Sequence, residues 1–446
     1  MSETALSKKD SAKEKTISPA MRKFYDLVFL LGYICCIIPG PFPQFTSIAS
    51  ILLVLCITVS FFDDNFYLYL GIFIYLRYRL LIGATPAFRL YSYLIVLRFL
   101  WDLPKEKIRV AYLPALFVFI MHSLFALSEQ TSIRIGLNVI VDCALAYIVI
   151  SKLITSTPNM RKFIFVFLLG GVASGIYGWT NDSFAVDINV AGAGAQTVKR
   201  NFGALSDANF AGLFYSLCIV CAYTVKGIPL WGKGIFLALF AIMLLQTASL
   251  SAILILTILS VFYIILKFRG KSFFILTGLL IGLIIAVAII LAVPQLREIE
   301  AIHGLIIRIT EKLSYIPRGR WDLLTTDRSA IWGEAVDIFS SKPLWGKLIG
   351  GSVVTVIYID LSLISIACHN SYLQSLLNFG VIGTLMIYLP LFLIFGYRLF
   401  RHFTTKSGYE SEDIRILQLI FIFAFIIFGM TVDFFIDWPF MLLYFI

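Results

Sequence analysis

Charged side chains are scarce in this sequence. They make up 14% of 446 residues against 60% hydrophobic, which excludes a soluble globule with an ordinary wetted surface and makes the bilayer the solvent. Strand-like alternation is scarce as well. Apolar stretches such as residues 61–76 and 273–293 are apolar all round and, at about 1.5 Å per helical residue, long enough to cross roughly 30 Å of hydrocarbon. An outer-membrane barrel, with segments of about ten residues alternating polar with apolar, is excluded. No small-residue cleavage site follows the early apolar stretch 24–38, so it reads as a first span with a cytoplasmic amino terminus and not as a removable signal peptide. Domain linkers, low-complexity tracts, repeats of about 20 to 50 residues and a clear inverted half-repeat are also missing.

The seven cysteines do not suggest a disulfide framework. Cys35, Cys36, Cys56, Cys143, Cys218 and Cys221 fall inside apolar spans, where cysteine acts as a small hydrophobe. Cys218 and Cys221 form a CxxC within residues 214–223, but no second ligand pair accompanies it and packing is the better reading. Outer loops show no DxD and no His or carboxylate cluster at ligand spacing, although Asp322, Asp327 and Asp360 are present. Metal independence and no cofactor are therefore expected. A Ser, His and Asp nucleophilic arrangement has no recognisable signature either.

A net charge of +10 could suggest nucleic acid, but the basic residues sit in short loops and in the tail before residue 24, where topology explains them. Reading spans by hydropathy gives about thirteen crossings, in a range of about 12 to 14, and a short apolar segment at 438–446. Lys105, Lys107 and Arg109, then Lys152, Arg161 and Lys162, then Lys226 and Lys233, then Lys267 and Lys271, then Arg398 and Arg401 mark successive cytoplasmic loops. Each falls after an even number of crossings. That pattern puts residues 181–200, 247–251 and 294–370 on the outer side. The chain divides into a cytoplasmic tail (1–23), membrane helices one to eleven (24–293), a large outer loop (294–370) and carboxy-terminal membrane helices (371–446).

Within the long loop, residues 295–316 carry apolar side chains at helical spacing. Leu296, Ile299, Ile302, Leu305, Ile306, Ile309 and Leu313 make one face, with Arg297, Arg308 and Lys312 elsewhere, as an interfacial helix would have. A second amphipathic piece, 329–339, stops before Pro343. Residues 352–368 are apolar and β-branched, and a crossing there would move Arg398, Arg401 and Lys406 outside. A re-entrant or membrane-leaning segment is expected instead.

Three groups of residues stand out between 200 and 389. Arg200, Gly203, Asn209 and Ala211 lie in KRNFGALSDANFAGL; Arg328, Trp332, Pro343 and Gly346 in DRSAIWGEAVDIFSSKPLWGK; His369, Asn370, Tyr372, Leu373, Gly380 and Gly383 in HNSYLQSLLNFGVIG. In this order and on the outer side, the set resembles the O-antigen ligase and polymerase family, bacterial enzymes that ligate or polymerise undecaprenyl-linked glycans. The chemistry points to the same residues. A diphosphate leaving group needs fixed positive charge where negative charge grows, and the Arg328 guanidinium can bind phosphate oxygens bidentately. His369 can accept the acceptor hydroxyl's proton as that oxygen attacks the anomeric carbon. A lone histidine at this position could equally cap a helix, and Arg200 could be a plain interface anchor. His122, mid-span, and His303, on the amphipathic stretch, read as packing and surface residues.

One position departs from the resemblance. Family members carry an arginine at the outer end of the span matching LLQTASLSAIL, and Ala248 or Leu250 stands there. Arg77, Arg79 and Arg89, near the outer end of the third span, are the candidate substitutes, since charge within a membrane is costly; snorkelling toward headgroups is their alternative reading. Arg98 lies nearer the cytoplasmic side, and Gln246, Thr247 and Ser249 remain as neutral donors.

The resemblance thus implies an all-α, polytopic, GT-C-like membrane glycosyltransferase of the bacterial inner membrane, inverting and metal-independent, its active site on the outer side. His369 and Arg328 are expected to be catalytic. Arg200, Arg77, Arg79, Arg89, Asn370, Tyr372 and Trp332 are expected to bind substrate, with aromatic stacking on sugars by Trp321, Trp332 and Tyr372 weighed against interface anchoring. The expected partners are an undecaprenyl-diphosphate-linked glycan, membrane lipid and a candidate chain-length regulator, with no nucleic acid. The missing span-end arginine favours a polymerase, which extends a lipid-linked repeat unit, over a ligase that transfers to lipid A-core; protein O-glycosylation is a lesser option. The rival from another class is a transporter or flippase, which would keep outer loops short and place ionisable groups near midplane on broken helices.

Overall fold

Ser18 opens the first helix by accepting a hydrogen bond from the Met21 amide at 3.3 Å, with proline in the first turn, where its missing N–H costs nothing. The computed structural model describes residues 18–63, 65–77, 79–102, 113–126, 147–148, 157–181, 183, 185–190, 196–205, 207–319, 328–346, 354–357, 363–366, 368–404 and 411–431. Lys105, Lys107, Arg109, Lys152, Lys406, Cys143, Trp321, Asp322, Asp327, Asp360 and the segment 438–446 lie outside the described residues.

In chain order the helices are α1 (Pro19–Ile37), α2 (Thr46–Val59), α3 (Asn65–Leu68), α4 (Leu70–Leu76), α5 (Ala87–Asp102), α6 (Leu113–Ala126), α7 (Thr157–Thr180), α8 (Ala208–Thr224), α9 (Leu230–Gln246), α10 (Leu250–Phe268), α11 (Ser272–Ala292), α12 (Pro294–Arg297), α13 (Glu300–Tyr315), α14 (Arg328–Ser341), α15 (Ser371–Thr404) and α16 (Glu412–Phe428). Among the described residues, Pro158–Thr180, Leu250–Phe268 and Ser371–Thr404 are long and apolar enough to cross a membrane, with shorter apolar helices at Pro43–Val59, Asn65–Leu76, Ala208–Thr224, Leu230–Gln246 and Ser272–Gly282. Their outer faces stay greasy. Phe274 is 75% exposed and Leu254 61%, a surface suited to lipid and not to water.

The helical expectation is modified in three places by two-stranded antiparallel hairpins: β1–β2 (Leu81–Ile82, Thr85–Pro86), β3–β4 (Ala185–Val190, Gln196–Asn201) and β5–β6 (Val354–Ile357, Leu363–Ile366). The third falls within 352–368, where a re-entrant or membrane-leaning segment is expected, and its β-branched residues pair with each other, Val354 opposite Ile366 and Val356 opposite Ile364. A second difference falls at 61–76, read as one crossing. Residues 60–63 form a turn after α2, and the helical part begins only at Asn65. Every residue from Asn65 to Leu76 is buried, so protein encloses this short helical stretch.

Side-chain contacts sort the helix ends into two sets. Arg161 on α7 binds Asp413 at the start of α16 through two hydrogen bonds of 2.9 and 3.0 Å, and the Lys226 amide after α8 donates to the same carboxylate at 3.1 Å. Lys267 at the end of α10 pairs with Glu412 at 2.6 Å, and a His402 ring nitrogen near the end of α15 lies 2.9 Å from the Leu266 carbonyl. Residues expected in separate cytoplasmic loops therefore share one end. The opposite ends of α8, α10, α15 and α16 meet too: the Ser371 amide donates to the Gly429 carbonyl at 2.7 Å. With 17 residues in α8 and 19 in α10, the two ends stand about 26 to 29 Å apart, close to one hydrocarbon thickness.

The outer-loop segment is fastened onto α15 at Gly380, whose φ of 62° interrupts the helix. The Val381 amide donates to Pro343 O at 2.9 Å and Ile382 to Leu344 O at 3.3 Å, so bonds that a regular helix would keep internal run to the loop. Gly346, at φ 63°, packs here with its backbone on Gly380; a Cβ on Gly346 would meet the Gly380 nitrogen at 2.5 Å. The Pro, Gly and Gly of two separate motifs thus meet in one joint.

Candidate active site

At the end away from the Asp413 cluster, the turn between α9 and α10 offers two successive backbone carbonyls. Arg200 on β4 donates from Nε to Thr247 O at 2.9 Å, and Arg308 on α13 donates to Ala248 O. Arg200 also reaches Asn209 Oδ1 at 2.9 Å, an oxygen that accepts from Ser249 Oγ at 3.0 Å. Asp207 caps α8 by accepting from the Asn209 amide at 2.7 Å and the Phe210 amide at 3.3 Å, which satisfies two donors that a helix start leaves open.

The Asp207 carboxylate acts on Arg200, Arg328 and His369 alike, so these four groups share one electrostatic neighbourhood. Burial, then the neighbouring Arg308 charge, pushes the Arg200 guanidinium down to about 10, with Asp207 opposing. Burial likewise lowers Arg308, opposed by Glu311, and Arg328, opposed by Asp207. All three stay charged at neutral pH. Burial and the Arg328 charge hold the His369 imidazole below its ordinary value, with Asp207 pulling the other way. A histidine so placed is largely unprotonated at pH 7 and able to accept a proton.

The His369 turn is built by its neighbours. His369 has φ 51° and Ala248 φ 46°, and among the described residues these are the non-glycine residues with positive φ. Such backbone persists where surrounding contacts over-determine it. Asn370 Oδ1 accepts from the Tyr372 amide at 3.0 Å and the Leu373 amide at 3.2 Å, capping α15. Tyr372 donates its hydroxyl to Ile426 O at 2.7 Å and lays its ring against Tyr388, centroids 4.8 Å apart. Trp332 donates from Nε1 to Cys368 O at 3.0 Å, and the Cys368 amide donates to Gln374 Oε1 at 3.0 Å. Ile331 and Ala335 of α14 pack on Cys368 and Leu377, so the helix that begins at Arg328 carries it to the histidine.

Arg77, Arg79 and Arg89 lie at the same end of the molecule. Arg79 donates from Nε to Ala204 O at 2.9 Å and through a terminal nitrogen to Leu205 O at 3.0 Å, holding the segment that leads into Asp207. Arg77 and Arg89 both lie over the Phe88 ring, at 5.0 and 5.6 Å. Arg98 sits over Phe61 and Phe62 and donates to Phe61 O.

Two members of the site were missed by sequence reasoning. Asp207 carries an ordinary capping signature, and Arg308 reads as the polar side of a surface helix. The expected apolar stripe of α13 is not its packing face. Gly304 and Ile307 turn inward, a Cβ on Gly304 standing 2.9 Å from Val198, and Ile307 packs with Val198 and Ala248. Ile309 and Leu313 of the stripe stay exposed. One turn of helix separates residue 304 from 308, so the glycine that lets α13 approach also brings Arg308 to the turn.

Residues 235–388 match the model of a family described as O-antigen ligase. The match takes in Ala248, Arg308, Arg328 and His369, while Arg200 and Asp207 precede it. No curated protein and no solved structure matches the chain.

Proposed function

We propose that the chain is a membrane glycosyltransferase that polymerises glycan on the outer face of the bacterial inner membrane, with an undecaprenyl-diphosphate-linked chain as donor and a lipid-linked repeat unit as acceptor. One observation carries it. An imidazole kept largely neutral stands beside the Arg328 guanidinium and within the field of the Asp207 carboxylate that Arg200 also feels, within or just before the stretch that matches the O-antigen ligase family. In the proposed reaction the acceptor oxygen attacks the anomeric carbon while His369 takes its proton. The bond from that carbon to the diphosphate breaks, the electron pair leaves on the phosphate oxygen, and the configuration inverts. Arg328 and Arg200 meet the negative charge that grows there. Asn370, Tyr372 and Trp332 hold the His369 turn, and Arg79 holds the approach to Asp207.

Glycan chain length read on a gel tests this, from a deletion strain complemented with wild type, His369→Asn or Arg328→Gln at equal expression. A ladder lost in both variants, with single repeats still attached, is the expected result. Loss of all attachment with lipid-linked polymer accumulating would replace the polymerase by a ligase. An unchanged ladder in both would remove the catalytic assignment and leave a transporter as the better reading.

A further inference from the structure

Helix α13 has two faces that point to one ligand. Inward, Arg308 meets the carbonyl next to the one that holds Arg200. Outward, Ile299 just before the helix is 48% exposed, Ile309 41%, Leu313 58% and Ile316 just after it 44%. Among the described residues no carboxylate lies within ion-pair distance of Arg200, Arg308 or Arg328, and Asp207 is the acidic group whose charge reaches Arg200 and Arg328. Each guanidinium carries five N–H donors, and Arg308 uses a terminal nitrogen on Ala248 O. Arg200 is buried and Arg308 and Arg328 are half-buried, and guanidinium groups with donors in excess of acceptors suit an anion that accepts several hydrogen bonds.

We propose that Arg308 is a third diphosphate-binding cation beside Arg200 and Arg328, and that α13 recognises the junction at which a polyprenyl chain meets its diphosphate. This rests on the donor reading above. The guanidinium binds the phosphate oxygens, and the adjoining stripe of Ile309 and Leu313 lies along the hydrocarbon. A diphosphate spreads its charge over two phosphorus centres and engages more guanidinium groups than a monophosphate does. Arg308 therefore bears on the preference for the second phosphate.

The full chain in nanodiscs is titrated with geranylgeranyl diphosphate, geranylgeranyl monophosphate and inorganic pyrophosphate, for wild type, Arg308→Gln, Arg308→Lys and Arg328→Gln, with melting curves alongside. Wild type is expected to prefer the prenyl diphosphate. Arg308→Gln is expected to weaken that ligand about tenfold to a hundredfold, the size of a charge-assisted contact, with the monophosphate far less affected. Equal weakening of both ligands, or of neither, would overturn the role of Arg308. Should Arg308→Gln fail to fold, Arg308→Lys keeps the charge but loses the fork, and an undiminished diphosphate preference there would overturn it equally. Pyrophosphate binding as tightly as the prenyl diphosphate would remove the hydrocarbon half of the proposal. A wild type without diphosphate preference would instead bring down the donor reading itself, whereas preference lost only in Arg328→Gln would leave that reading standing and remove Arg308 alone.

Discussion

The two ends of the helical bundle use the same cationic residue types in opposite ways. At the end gathered around α16, cations meet carboxylates: Arg161 holds Asp413, Lys267 holds Glu412, and Arg22 lies 3.6 Å from Asp63. At the other end, Arg200 and Arg308 donate to neutral carbonyl and amide oxygens. Pairing with carboxylate neutralises a cation and leaves nothing for a ligand. Carbonyl oxygens fix a guanidinium in place and leave its charge standing. The first arrangement is a fastening, and the second is the arrangement that the proposed diphosphate would need.

The sharpest way to break this comparison is at His369. His369→Asn should lower turnover about 10²- to 10⁴-fold, the usual contribution of a general base, while the melting temperature stays near wild type because asparagine tolerates the left-handed backbone of this turn. A collapse of the fold with activity proportional to folded protein would show that the residue is a hinge and nothing more. Arg328→Gln comes next, with kcat/KM down about tenfold to a hundredfold. It also has a signed pH effect. His369 must be unprotonated, so activity is lost as pH falls through its pKa, which lies below the ordinary value of about 6.5. Removing the Arg328 charge removes a repulsion on the imidazolium, and the acidic limb moves to higher pH. Asp207→Asn keeps the helix cap, removes an attraction and moves that limb to lower pH. Limbs that move the same way in both variants would detach His369 from this electrostatic group.

Much of the proposed site was legible because its residues sit at the borders of strongly apolar spans. Arg328 and His369 follow from motif order and from the charge that a diphosphate demands. Arg308 and Asp207 were hidden for a physical reason. Hydropathy and periodicity establish that 300–315 is an amphipathic helix, yet they do not say which face packs. The choice was made by Gly304, which lets Val198 of a distant hairpin approach. Asp207 reads as a cap because it is one, and its second duty depends on Arg328 arriving from more than a hundred residues away. The turn at 60–63 was invisible for a related reason, since Phe61 and Phe62 count as apolar whether or not the backbone is helical. The pairing of 354–357 with 363–366 is written in β-branched residues, which sequence alone reads as apolar without saying what they pair with.

At the fastened end the expected effect is on stability instead of chemistry. Asp413 is buried at 3% exposure and accepts from Arg161 and the Lys226 amide. Asp413→Asn should cost about 1 to 3 kcal/mol, less than a fully buried pair because Arg161 is partly exposed. The check is a lowered melting temperature with unchanged KM in the surviving protein. A raised KM with an unchanged melting point would mean that the two ends are coupled through the helices and that the contrast between them fails.

The smallest effect tests whether strain marks the working end. Ala248 holds φ 46° in the turn that presents carbonyls to Arg200 and Arg308. A left-handed alanine costs roughly 1 to 2 kcal/mol, and glycine would relieve that while giving back about 0.4 to 1 kcal/mol in unfolded-chain entropy. Ala248→Gly should therefore be neutral or stabilising by up to about 1.5 kcal/mol, with activity retained, since the residue contributes through its backbone oxygen. Ala248→Val adds a β-branched side chain where positive φ is an outlier and should destabilise clearly. If glycine instead lowers the melting point and valine does not, the turn is held by contacts of the Cβ and not by its carbonyls. The arginines would then be following the turn rather than fixing it, which removes the reason to treat this end as preorganised.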